Sequence, residues 1–450
     1  MNRPHDNRRT GFQRYSRREF VVSAALLAGT LPAWSRARGQ SAKSDRIHIA
    51  CVGVGGKGWS DMMETSVGHE VVAICDVDST TLDKAAAQFP RAKRYADWRQ
   101  MLDQNDIDAV TVSTPDHNHA AVAYSAMQLD KHVYCQKPLA HDVWEARVLA
   151  ETAAKRPVVT QMGIQHHSSR RLKQAVAAIE QGTVGRVSEV YTWTDRPGTY
   201  WQQGRQRPAA QDTPPAQLNW DLWLGTAPQR PFAAGNYYHP FHWRGWWDFG
   251  TGAMGDMGCH ILDPVVHALQ LGPPEVISAQ GPPPDADSGP LWCQIEYEFP
   301  GTSRTTERVR VYWNEAGRKP DRSLFQAPEN WKGSDNGVLF RGEKGNLFVG
   351  FPEDPELFPQ EKFAGFQFAD LPEDNHYTQW TNAILGQGTT SCPFAYSGPL
   401  TETVLLGNVA YRSGQKLRWD SAQLRLDGAP DAERLLRRTY RPGWSIPALG

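Results

Sequence analysis

The chain has 450 residues, enough for two separately cored domains, and its 48 Lys and Arg nearly balance 49 Asp and Glu for a formal net charge of -1. That balance leaves no electrostatic footprint for nucleic acid or an anionic membrane, and a small neutral partner fits it better. The 6 cysteines, at 51, 75, 135, 259, 293 and 392, form no CxxC pair and no regular spacing, which argues against a zinc framework or a disulfide scaffold and suits folding in a reducing compartment.

The first predicted element is a leader. In "SRREFVVSAALLAGTLPAWSRARG" the pair Arg17 and Arg18 precedes an apolar run from Val21 to Leu31 and a small-residue exit ending near Gly39. That is how a removable export signal reads, and the run is too short to span a bilayer, so no stable membrane insertion is expected once residues 1–39 are removed. "SRREFVV" resembles a twin-arginine signal, which implies export of an already folded protein to the periplasm or an equivalent exported location.

Residues 45–165 alternate short β-branched runs with helical stretches, the pattern of βαβ units and a parallel sheet. Strands are expected at "RIHIACVGV", "EVVAICD", "AVTVSTP", "KHVYCQKP" and "PVVTQMG", with helices at "STTLDKAAAQF", "HNHAAVAYSAMQL" and "DVWEARVLAETAAKR" capped by Ser79 and Asp142. Cys51, Cys75 and Cys135 fall in the apolar runs and read as buried thiols. The expected fold class is α/β plus α+β: a Rossmann-type doubly wound parallel sheet over 45–165, then a domain over 166–450 on an open, mainly antiparallel sheet. Consecutive runs such as "RVSEVYTWTD", "LWCQIEYEF", "TTERVRVYW" and the hairpin-like "VLFRGEKGNLFV" support the second half. "EDNHYTQWTNAIL" and "SGPLTETVLLGNVAYRSGQ" read as helices that pack on that sheet or return to the first domain.

The chemistry concentrates in a few segments. "CVGVGGKG" sets Gly53, Gly55 and Gly58, with Gly56 among them, as GxGxxG after the first strand, and Asp76 ends the second strand. Glycines let backbone approach a pyrophosphate at a helix N-terminus, and a carboxylate at Asp76 receives the adenosine ribose and disfavours a 2′-phosphate, hence NAD rather than NADP. Asp78 reads as a cap or a solvated charge. The next strand ends bring Thr114, Pro115 and His119, and then Gln136, Lys137 and Pro138, to the edge where ligands bind. In "GTGAMGDMGCHILDP", a helix from about Asp256 would stack Asp256 and His260 on one face, a reasonable general acid/base pair, on condition that Pro264 kinks it or lies in its first turn. Seven of the 17 tryptophans fall between 190 and 250. They suit a carbohydrate site, with Arg244, Trp246 and Asp248 as contacts, as well as they suit core packing. Gln165 and His166 follow the last strand of the first domain and are substrate candidates; His239 and His242 lie nearby in type, but their spacing is not that of a metal site and none is expected.

These motifs resemble the Gfo/Idh/MocA family of glucose-fructose oxidoreductase and inositol dehydrogenase, from Asp45 to the C-terminal "YRPGW". Its glycine loop matches Gly53, Gly55 and Gly58, its TPxxxH element Thr114, Pro115 and His119, its E-K-P motif Gln136, Lys137 and Pro138, and its D-x-G-x-H element Asp256, Gly258 and His260. The resemblance implies a nicotinamide cofactor held by the first three motifs and a homo-oligomer, dimer or tetramer. It also implies that Lys137 and His260 handle the proton of a sugar or cyclitol hydroxyl while Asp256 orients the substrate. Gln136 departs from the family's Glu; losing a negative charge beside Lys137 would make that lysine easier to deprotonate.

Export and a dinucleotide together favour a tightly held cofactor that the reaction cycle restores. The expected activity is therefore an exported NAD(P)-dependent oxidoreductase acting on a CH–OH group of a sugar, glycoside or cyclitol. The alternatives are a redox-neutral, NAD-dependent glycoside-cleaving enzyme and a non-catalytic sugar-binding protein.

Overall fold

The computed structural model describes residues 46–450; the expected export signal at 1–39 lies outside the described residues. The first half is built on six parallel strands: β1 (His48–Val52), β2 (Glu70–Cys75), β3 (Lys93–Tyr95), β4 (Ala109–Val112), β5 (His132–Gln136) and β6 (Thr160–Gly163). Their order is β3-β2-β1-β4-β5-β6, so the strand direction of travel reverses between β1 and β4, where a doubly wound sheet opens a crevice for ligands. The sequence-based expectation lacked β3, whose three residues are charged or half-exposed and carry no apolar run.

Five helices connect these strands: α1 (Lys57–Thr65), α2 (Ser79–Gln88), α3 (Trp98–Leu102), α4 (Asp116–Gln128) and α5 (Val143–Lys155). The cap of α2 is Asp78 rather than Ser79: the Asp78 carboxylate accepts from the N–H groups of Thr80 and Thr81, and Ser79 is the first helical residue. Asp142 caps α5 as expected, in a reciprocal box with Glu145.

The second sheet has nine strands, β7 (Val187–Trp193), β8 (Val276–Gln280), β9 (Gln294–Pro300), β10 (Thr305–Asn314), β11 (Gly337–Gly342), β12 (Gly345–Gly350), β13 (Glu356–Phe358), β14 (Leu417–Asp420) and β15 (Arg425–Leu426). Their order is β13-β12-β11-β7-β10-β9-β8-β14-β15, antiparallel except that β7 and β10 run parallel. The hairpin read from "VLFRGEKGNLFV" is β11 and β12, joined through Glu343 and Lys344.

Helices α6 (Arg170–Glu180), α7 (Trp220–Leu224), α8 (Gly252–Leu269), α9 (His376–Ile384) and α10 (Phe394–Ser413) complete the parts that matter here. Helix α10 packs on α5, so the late chain does return to the first sheet; a Cβ at Gly398 would lie 2.7 Å from the Ala150 Cβ, a closeness only glycine permits. It also touches α8 and β8, joining the two halves through one core. Helix α8 begins at Gly252, four residues before the expected start, and continues through Pro264. Pro264 withholds the N–H that the His260 carbonyl would otherwise receive.

The tryptophan concentration resolves into core. All seven between 190 and 250 are buried, and Trp220, Trp223, Trp243 and Trp246 join Tyr238 and Phe249 in one aromatic cluster. Trp220 stacks on Trp223 with centroids 4.6 Å apart, a pairing that contributes about 1 kcal/mol beyond area burial.

Candidate functional site

The turn after β1 is shaped by where side chains cannot fit. Gly53 has φ of 76°, and a Cβ there would lie 2.6 Å from the Ser113 carbonyl oxygen; at Gly58 it would lie 1.8 Å from the Gly53 carbonyl oxygen, seating α1 directly on the strand. Gly55 faces Thr81 of α2, and Gly56 stands at the N-cap of α1 with open space beside it. Asp76 closes the other side. Its Oδ2 accepts from the Val54 N–H at 2.9 Å and its Oδ1 from the Asp78 N–H at 3.0 Å, which leaves lone pairs on both oxygens. Burial raises the Asp76 carboxyl, and those backbone donors work against the rise. Beside it lies a cleft of about 490 Å³ bounded by Asp76, Val77 and Ser79 and, from the opposite side, by residues 216–220. An open crevice, a glycine turn that a Cβ would fill and a carboxylate with free acceptor sites fit a dinucleotide, and among the described residues no cation lines the cleft to meet a 2′-phosphate.

Farther along the same edge, the Lys137 Nζ donates to Asp256 Oδ1 at 2.7 Å and to the Asp256 carbonyl oxygen at 2.8 Å. Arg244 Nε reaches the same Oδ1 at 3.2 Å. Burial would raise the Asp256 carboxyl, but Lys137 and Arg244 overcome it and hold the group well below the usual carboxylate range. His260, one turn along α8, is pushed down to about 3, first by burial and then by Lys137, so it is neutral at ordinary pH. Its Nδ1 is buried with no hydrogen-bond partner among the described residues, and its ring lies 5.4 Å from that of Phe351, which also meets His166 at 4.8 Å. Burial lowers His166 as well. The site thus gathers Lys137, Asp256, His260, Arg244 and His166.

Several other candidates sit elsewhere or turn inward. His119 has Nδ1 2.8 Å from the Pro138 carbonyl and Nε2 2.7 Å from the Thr114 carbonyl, so neither ring nitrogen is left for a cofactor. It ties the Thr114-Pro115 turn to the Lys137-Pro138 turn. Thr114 gives its hydroxyl to the Pro115 carbonyl, and Pro115 precedes α4 as its N-cap. Trp246 belongs to the aromatic cluster and donates its Nε1 to the Tyr237 carbonyl at 2.7 Å. Asp248 is held by Arg207 at 2.6 Å and Arg230 at 2.7 Å, and Gln165 donates to the Tyr134 hydroxyl at 2.8 Å.

Gln136 turns to a carboxylate on α1. Its Nε2 donates to Asp61 Oδ2 at 2.9 Å; Ser113 donates to the same oxygen at 2.8 Å, and Lys57 pairs with Oδ1. The missing carboxylate at 136 is therefore answered by a fully buried one on α1, and the ammonium of Lys137 faces Asp256 instead. Asp61, Phe351 and the buried Asp116, which accepts from Thr251 at 2.6 Å, escaped sequence reasoning because Gln136, His260 and Thr251, which they meet here, are far away in the chain. Metal-ligand types also meet at His167, Asp263 and Cys392, with ligand atoms within 4.8 Å of one another, but Asp263 is already bonded by His167 at 2.8 Å and by the Tyr396 hydroxyl at 2.6 Å. His239 and His242 take no part in that group.

Comparison with known proteins agrees with this layout. Residues 47–164 match the Gfo/Idh/MocA profile described as an oxidoreductase family with an NAD-binding Rossmann fold, and residues 172–307 match that family's C-terminal alpha/beta domain. A levoglucosan dehydrogenase of Pseudarthrobacter phenanthrenivorans is 26% identical over 190 residues, 42% of this chain and 40% of that protein. An alpha-N-acetylgalactosaminidase of Shewanella oneidensis is 28% identical over 156 residues, 32% of this chain and 34% of that protein. The matched stretches thus span well under half the length of these relatives. Among solved structures, the WlbA dehydrogenase of Bordetella pertussis in complex with NADH and UDP-GlcNAcA has a TM-score of 0.60 at 19% identity, over 83% of this chain and 99% of that one. A levoglucosan dehydrogenase in complex with NADH and L-sorbose has a TM-score of 0.55 at 16% identity, over 83% of this chain and 98% of that one.

Proposed function

This chain belongs to the Gfo/Idh/MocA oxidoreductase family, and from that premise we propose that it is an NAD-dependent oxidoreductase acting on a CH–OH group of a sugar, glycoside or cyclitol. The observation that carries the reading is the convergence of Lys137, Asp256 and His260 at the same sheet edge as the Gly53 turn and Asp76. The turn would take the pyrophosphate and Asp76 the adenosine ribose. A bound nicotinamide would supply the hydride acceptor or donor for the substrate carbon.

The protein's own residues handle the rest. Asp256, clamped by Lys137 and Arg244, holds both cations together where it would also orient the substrate. The Lys137 ammonium lies where it would stabilise negative charge growing on a hydroxyl oxygen. His260 has an unpartnered Nδ1 that would take the hydroxyl proton; held at about 3 it is a weak base, so proton transfer would accompany hydride loss rather than precede it. NADP is the less suitable cofactor because Asp76 would oppose its 2′-phosphate.

The proposal includes export through the twin-arginine-like leader to the periplasm, a division at 45–165 and 166–450, and assembly as a homo-oligomer. Among the described residues, no helix is long and apolar enough to cross a membrane. The glycosidase name of the Shewanella relative favours a second reading, redox-neutral glycoside cleavage with catalytic use of bound NAD. Incubating the purified protein with glycosides and no added NAD separates the two. Oxidation limited to one turnover supports the dehydrogenase, many turnovers of cleavage support the second reading, and an unchanged glycoside with unchanged nucleotide contradicts both.

A further inference from the structure

The cleft beside Asp76 has a wall that the first sheet does not supply. Residues 216–220 come from the long connection between β7 and α8, well over a hundred residues after Asp76, yet they line the same space. Two backbone bonds tie them to the segment just after β2, Ser79 N–H donating to the Gln217 carbonyl at 2.9 Å and Asn219 N–H to the Val77 carbonyl at 2.9 Å, while Val77 packs against the cluster that holds Leu218 and Trp220. Asp78 and Leu218 face each other between these bonds as an antiparallel bridge.

The segment is secured at both sides of this tie. Its base is closed where Asp212 N–H donates to the Phe232 carbonyl at 2.9 Å and the Asp212 carboxylate accepts from Ala234 N–H at 2.8 Å. Just past the tie, Asn219 caps α7, and Trp220 enters the aromatic cluster with its Nε1 on the Arg230 carbonyl at 2.8 Å. One short ladder therefore joins a well-anchored loop to the strand end that carries the ribose-binding carboxylate.

We propose that residues 212–232 form a clasp over the adenosine end of the dinucleotide, so that the cofactor enters and leaves only when the ladder between 77–79 and 217–219 opens. This rests on the cofactor reading given above and adds to it a reason for retention through successive turnovers. A clasp is a kinetic barrier. It slows association and dissociation together, whereas a wall that merely touches the ligand slows dissociation alone.

Ser79→Pro tests the ladder. Position 79 is the first residue of α2, where proline is tolerated, and Asp78 before it is extended, as a residue preceding proline prefers, so the change removes one tie together with the Ser79 hydroxyl at the cleft wall, whose loss as a ligand contact alone would quicken release and leave association unchanged. Leu218→Ala, which loosens the buried anchor opposite, is the second variant should the first fail to fold. NADH association and release are followed by stopped-flow fluorescence on the full chain. The expected result is at least a tenfold rise in both rate constants in either variant. Release that quickens while association stays unchanged, or rates equal to those of the unaltered chain, overturns the clasp and leaves the oxidoreductase reading standing. Failure of the unaltered chain to bind NADH overturns both.

Discussion

Replacing Gln136 by Glu probes the arrangement under the glycine turn. In the native protein the Gln136 amide donates to Asp61 Oδ2 at 2.9 Å. A carboxylate in its place would set two anionic oxygens about 3 Å apart, a repulsion of about 5 kcal/mol at an effective dielectric near 20. The protein escapes by protonating one of the two, which restores a hydrogen bond and costs about 1.36 kcal/mol for each pH unit above the ordinary carboxyl value. At pH 7 that is about 3 to 4 kcal/mol.

The sign follows from the raised carboxyl of the variant. Its folded state binds more protons than its unfolded state, so stability is intact below about pH 4.5 and is lost as pH rises toward the raised folded value. Urea unfolding of native and variant chains at pH 5 and pH 7.5 should show a deficit at least twofold larger at the higher pH, and Asp61→Asn should abolish it in the double variant. If Glu at 136 instead faced Lys137, the variant would gain an ion pair and match or exceed the native stability near neutrality. That result, or a deficit independent of pH, refutes the reasoning.

Glu315 is fully buried with Oε2 unpartnered, and burial pushes its carboxyl up to about 8 against the single hydrogen bond from Trp313. Stability it confers is lost as pH rises from about 4.5 toward 8, so Glu315→Gln should stabilise the chain by an amount that grows over that interval, by at most about 1.4 kcal/mol per pH unit in denaturant titrations. His117, His260 and His376 behave oppositely, lowered chiefly by burial to about 3, 3 and 4. Their stability is fully present above about pH 6.5 and is lost as pH falls toward those values; His376→Asn should make the acid limb of an unfolding titration shallower by about one proton.

Much of the fold was legible because its signals are local. The apolar runs of β1, β2, β4, β5 and β6, the glycine turn, the Asp142 cap and the β11–β12 hairpin each declare themselves within about a dozen residues. What escaped was set by distant partners. β3 is held as an edge strand by β2 and has no apolar pattern of its own, and the parallel pairing of β7 with β10 crosses more than a hundred residues. In the site, the motifs located Lys137, Asp256 and His260, but periodicity could not reveal that Arg244 shares the Asp256 carboxylate or that Gln136 turns to Asp61. Trp246 and Asp248 read two ways for one reason. A segment rich in aromatics and charges is equally the composition of a carbohydrate surface and of this loop's own aromatic core and arginine pairs.

The central claim is that a dinucleotide lies on the Gly53 turn with its adenosine ribose at Asp76. Equilibrium titration of the nucleotide-free chain with NADH and with NADPH, read by fluorescence for the native protein and for Asp76→Ala, tests it most directly. The account predicts one NADH per chain, a clear preference for NADH over NADPH, and loss of that preference in the variant. Absence of binding, or a preference for NADPH that Asp76→Ala leaves unchanged, would contradict it.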